Sequence, residues 1–139
     1  MQVARMHQKS AAYSGLLFAI ISVLAFGPAM ARATTKVVTD ADKGGTVTIK
    51  MGDVLEVRLS SNPTTGYAWY VHKQSTALLK LTSQSQTQPA QPGVGRPILQ
   101  VFEFAPRAKG TGVLLLHYVR SWEAPDPNEE QFSLHVTIE

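Results

Sequence analysis

The chain has 139 residues, no cysteine, 13 Lys plus Arg and 10 Asp plus Glu. Without cysteine it has no disulfide framework, no thiolate metal site and no cysteine nucleophile. Its formal charge of +3 is no footprint of nucleic-acid or membrane-surface binding, because the excess lies at the N-terminus.

Arg5, His7 and Lys9 precede a nearly unbroken apolar run from Gly15 to Phe26. Gly27-Pro28 and the overlapping small-x-small sites Ala29-Met30-Ala31 and Ala31-Arg32-Ala33 follow. This is the pattern of a cleaved secretory signal, and the run is short for a membrane span of about 20 residues. The expectation is a signal peptide over 1–33, cleaved after Ala31 or Ala33, and one domain over 34–139. The product is then exported to the periplasm or secreted, and free of the membrane after cleavage. From Thr34 onward basic and acidic residues balance at ten each. One hydrophobic core is the expectation for a domain of this size.

Thr46–Ile49 alternates polar and apolar residues, and Lys50-Met51-Gly52-Asp53 reads as a turn. Val54–Leu59 puts Leu55, Val57 and Leu59 on one face and Glu56 and Arg58 on the other, as a half-buried strand does. Asn62-Pro63-Thr64-Thr65-Gly66-Tyr67 comes next, followed by the aromatic, strand-like Ala68-Trp69-Tyr70-Val71. Pro63 fixes its own φ and extends Asn62, Gly66 is free to take φ > 0, and two β-branched threonines lie between them. The expected product is a short, stiff, uncharged projection, better suited to entering a groove than to catalysis.

Leu78–Leu81 is a short apolar piece compatible with strand or helix. Thr82–Pro97, rich in Ser, Gln, Thr, Pro and Gly, reads as a long loop, with Gly93-Val94-Gly95 near its end. Ile98–Ala105 is strand-like. Gly112–Arg120 is apolar enough for a strand covered on both faces, and Arg120-Ser121-Trp122-Glu123 leads into a turn-rich piece. The last strand alternates cleanly: Phe132, Leu134, Val136 and Ile138 face one way, Ser133, His135 and Thr137 the other. Six or seven short strands without a long amphipathic helix predict an all-β antiparallel β-sandwich of about seven strands, with a small barrel second.

No catalytic constellation emerges. His72, His117 and His135 fall on three predicted strands without metal-ligand spacing, so they read as ordinary strand histidines; no metal and no cofactor is expected. No Gly-x-Ser-x-Gly elbow is present. Asp40/Asp42 and Glu129/Glu130 read as solvated charge. Trp122, in a turn-rich stretch, is either a binding anchor or a lid folded onto the core.

Three loops therefore carry the functional signal, and together they resemble the chagasin-like protein inhibitors of papain-family cysteine peptidases. Asn62-Pro63-Thr64-Thr65-Gly66 followed by the aromatic Tyr67 matches the family's first motif throughout. Gly93-Val94-Gly95 matches its Gly-x-Gly motif, with Arg96 where the family often has glycine. Arg120-Ser121-Trp122 matches its Arg-Pro-aromatic motif, with Ser121 in place of proline. The likeness spans roughly Thr46 to Ile138 in the expected order. It implies an immunoglobulin-like β-sandwich whose three loops form a wedge at one end. The 62–67 loop enters the peptidase active-site cleft and the 93–96 and 120–123 loops grip its walls, reversibly and without the inhibitor being cleaved. The implied partner is a papain-like cysteine peptidase bound by a monomer. Thr64 and Thr65 would fill the cleft and hydrogen-bond its backbone, Trp122 would anchor, and Arg120 would supply a charged contact or brace the loop. Ser121 frees the backbone at a cost on the order of 1 kcal/mol, and Arg96 favours an acidic cleft rim. The alternative from a different class is a secreted immunoglobulin-like binding module for a surface protein or glycan, without peptidase inhibition.

Overall fold

The computed structural model describes residue 27 and residues 30–88 and 95–139. The chain divides into Met1–Met30 and Ala31–Glu139, and the fold is that of the second unit. The expected signal segment falls almost wholly outside the described residues.

Among the described residues the second unit has eight strands: β1 Thr35–Thr39, β2 Thr46–Ile49, β3 Val54–Ser61, β4 Ala68–Val71, β5 Leu79–Gln86, β6 Ile98–Pro106, β7 Gly110–Val119 and β8 Glu130–Ile138. They make two four-stranded sheets, ordered β1-β3-β6-β5 and β2-β8-β7-β4. This is the all-β sandwich expected from the pattern of short strands. Two pairings depart from a purely antiparallel plan, since β1 runs parallel to β3 and β2 parallel to β8. The chain changes sheets between β1 and β2, and a 3-10 turn at Asp40–Asp42 makes the crossing.

Alternation along the strands builds the core. Leu55, Val57 and Leu59 of β3 and Phe102 and Phe104 of β6 face Leu114 and Leu116 of β7 and Phe132, Leu134, Val136 and Ile138 of β8, all at most 3% exposed. Each such side chain contributes roughly 1.5–3 kcal/mol on burial. With no disulfide available, this interleaved layer carries the stability of the fold.

Four local readings change. β1 was not foreseen, because only Val38 of its five residues is buried. Thr82–Gln86 belongs to β5 rather than to a loop. As an edge strand with its second half exposed on both faces, it needs no apolar alternation. β7 is covered on one face: Leu114 and Leu116 are buried while Val113 is 45% exposed. The paired acids are not merely solvated. Asp40 accepts from the Ser60 amide and hydroxyl, each at 3.0 Å, Asp42 accepts from the Thr39 amide at 2.8 Å, and Glu129 pairs with His117.

Candidate binding loops at one end of the sandwich

Strand register brings the candidate loops together. Ser61 pairs with Ile98 at the end of β3, and Ala68 pairs with Val119 where β4 begins and β7 ends. The 62–67 segment therefore crosses from one sheet to the other, Gly95 ahead of β6 lies beside it at the first sheet, and the β7–β8 connection lies beside it in the second.

The first loop is held largely by itself. Pro63–Thr65 forms one 3-10 turn, closed by Gly66 in the left-handed region at φ 81°. The Thr65 amide donates to the Asn62 carbonyl at 3.2 Å and the Gly66 amide to the Pro63 carbonyl at 3.1 Å. The Thr64 hydroxyl donates to Asn62 Oδ1 and the Thr65 hydroxyl to the Asn62 carbonyl, each at 2.6 Å. Both hydroxyl protons are thus used within the loop. What the threonines present outward is shape, with Pro63, Thr64 and Thr65 all exposed.

Neighbouring loops brace this projection. Arg120 donates from Nε to the Thr65 carbonyl at 2.8 Å, and its guanidinium lies 4.4 Å from the centre of the Tyr67 ring. The same side chain pairs with Glu123 at 2.8 Å, a hydrogen bond that raises the Arg120 pKa and keeps it charged. Of the two roles implied for Arg120, the geometry gives it the bracing one. The 120–123 turn is closed a second time by the Glu123 amide on the Arg120 carbonyl at 3.1 Å. Ser121 therefore sits in a turn tied at both ends without proline. Trp122 is 70% exposed and so is not a lid on the core. Its ring covers Gly66, where an added Cβ would lie 2.4 Å from Cη2. Gly66 is thus required twice, by its backbone angle and by the ring against it.

From the second loop, Gly93 and Val94 lie outside the described residues. Gly95 has φ 78°, and its carbonyl accepts from Asn62 Nδ2 at 3.4 Å. Arg96 is exposed.

Two residues that matter here carry no motif. Tyr118 accepts the Asn62 amide at its hydroxyl, 2.9 Å away. Gln100, 1% exposed, accepts the Trp69 amide at 2.8 Å and donates to the Trp69 carbonyl at 3.4 Å. A buried amide side chain here pairs with a backbone on edge strand β4 as a neighbouring strand would. A glutamine within an apolar alternation was the only available signal. Two of the three histidines also converge. The His72 and His117 rings stack at 5.0 Å beside a groove of about 770 Å³ bordered by Tyr67, Tyr70 and Glu129. Among the described residues no cluster of three His, Asp or Glu side chains is placed to hold a metal ion.

The arrangement offers recognition by a preformed surface: a stiff neutral tip, an exposed indole and a guanidinium already committed to bracing. Residues 48–136 match the family described as Chagasin family peptidase inhibitor I42. Chagasin of Trypanosoma cruzi is 33% identical over 103 residues, covering 71% of this chain and 94% of that protein. The crystal structure of a cysteine protease inhibitor from Entamoeba histolytica superposes with a TM-score of 0.70 at 25% identity, covering 78% of this chain and 99% of the other. The fold likeness extends to PbICP-C, solved in complex with falcipain-2, at 17% identity and a TM-score of 0.52, covering 78% of this chain and 93% of that one. On its sequence and its fold, the chain belongs to the chagasin family of peptidase inhibitors and is not an enzyme.

Proposed function

We propose that the protein inhibits papain-family cysteine peptidases reversibly, by placing the 62–67 loop in the active-site cleft with the 93–96 and 120–123 loops against its walls. The observation that carries this is the first loop itself, an uncharged projection whose hydroxyl donors are satisfied internally and whose backbone is tied to Arg120. A loop already held in one shape loses little conformational entropy on docking, so more of its contact energy is expressed as affinity. Internal hydrogen bonds also oppose the deformation that peptide cleavage requires. Exposed Trp122 beside the tip supplies the large rigid contact typical of interface anchors.

Family membership supports inhibition over the alternative of a binding module for a surface protein or glycan. Export to the periplasm or outside the cell, with cleavage after Ala31 or Ala33, remains part of the proposal and rests on the N-terminal sequence pattern. Action as a monomer is also part of the proposal. Titration of the purified protein against papain and several cathepsins tests the function directly. Inhibition at or below micromolar concentration is expected, and no effect on any of these enzymes would sink the proposal.

A further inference from the structure

Tyr118 touches the first loop at both of its ends. Its hydroxyl accepts the amide of Asn62, where the chain leaves β3. Its ring stacks on Tyr67, where the loop closes, with centroids 5.3 Å apart and planes 27° apart. The other neighbour of the ring is Trp69 at 4.9 Å, which is itself fixed. Trp69 Nε1 donates to the Ser60 carbonyl at 2.8 Å, and its backbone is held on both polar atoms by buried Gln100. Two residues beyond Tyr118, Arg120 reaches the same loop at the Thr65 carbonyl and the Tyr67 ring.

We infer that Tyr118 is the positioning residue of the inhibitory loop, joining its two ends and coupling its shape to the 120–123 turn. The inference rests on the proposed insertion of that loop into a peptidase cleft. Tyr118 is partly buried and touches the loop at Asn62 and Tyr67, so it acts through those two residues. Its side chain supplies two separable restraints. The hydroxyl is the acceptor for an amide that strand pairing does not satisfy, and a part-buried donor without its acceptor is costly. The ring is the surface against which Tyr67 is held, and aromatic contacts of this kind add to simple burial. With both in place the loop closes on itself in one conformation. With the hydroxyl gone, the start of the loop is released while the ring stack and the core remain.

A loosened loop of this kind behaves as a substrate, because a peptidase cleaves segments that adapt to its cleft. Tyr118→Phe is therefore expected to keep its circular dichroism spectrum, to lose affinity for papain by about tenfold, the scale of one lost buried hydrogen bond, and to be cut within residues 62–67 on prolonged incubation. Wild type should remain intact under the same conditions. Tyr70→Phe, on an exposed ring of the same sheet, should match wild type in both respects. A purely structural role would lower thermal stability without making the loop cleavable, so site-specific cleavage is the deciding readout. Hydrogen exchange on the wild type tests the inference without a variant: the Asn62 amide should exchange as slowly as neighbouring β3 amides. Exchange at the rate of an exposed loop overturns it, as does a Tyr118→Phe protein that inhibits as wild type and stays uncut. A wild-type protein that inhibits no peptidase overturns the functional reading instead, whatever the exchange data give.

Discussion

At one end of β3 the chain turns through Lys50–Asp53, and at the other through Asn62–Tyr67. Both turns place a glycine at positive φ, Gly52 at 92° and Gly66 at 81°. The first is held by a carboxylate: Asp53 accepts the Lys50 amide at 2.8 Å and the Thr34 amide at 3.0 Å. The second is held by hydroxyls, a phenol and a guanidinium that stays charged. The Asp53 turn therefore responds to acid, whereas the 62–67 loop has no carboxylate among its direct restraints.

The strongest way to break that picture is to alter the tip. Thr64→Arg should abolish peptidase inhibition, by more than about a hundredfold, because a large desolvated charge is introduced into the contact. Circular dichroism should be unchanged, and retained inhibition would refute insertion. Gly66→Ala comes next. Leaving the left-handed region to a residue with a Cβ costs about 1–2 kcal/mol, and the indole of Trp122 must also move, so inhibition should weaken roughly tenfold or more. Arg120→Lys keeps the charge but loses the Nε bond and the planar group over Tyr67, and should weaken inhibition several-fold. Stopped-flow measurement should show the change mainly in dissociation.

The smallest effect is expected at the other end of β3. Hydrogen bonds from the Lys50 amide first, and then from the Thr34 amide, lower the Asp53 pKa below its ordinary 3.8. A carboxylate with a depressed folded pKa contributes stability that is complete above the unfolded value and is lost as pH falls through the folded one. Asp53→Asn should therefore lower the thermal midpoint slightly at neutral pH and reduce its decline below pH 3.8, with inhibition unchanged. Thermal unfolding across pH alongside inhibition at neutral pH separates the two ends. A matching loss of inhibition would show that they are not independent.

Much of this was legible in the chain because local rules determine it. Period-two alternation marked β2, β3 and β8, since each buries one face against the same core. Pro63 and Gly66 announced a constrained turn through their own backbone preferences. Edge strands were harder to read. β1 buries one residue and the second half of β5 none, so their pairing leaves little trace in hydropathy. Tyr118 and Gln100 were invisible as functional residues for another reason. Their partners, Asn62 and Trp69, are 56 and 31 residues away, and nothing in a linear pattern reports such a meeting.

The sequence by itself determined that 62–67 is stiff and uncharged, because proline, glycine and β-branched residues impose this wherever they occur. Only the tertiary structure decided which way the stiffness is used. Packing β4 against β7 brought Tyr118 and Arg120 to the loop and left Trp122 exposed beside the tip. Those outcomes depend on long-range register, which alternation along single strands constrains but does not specify.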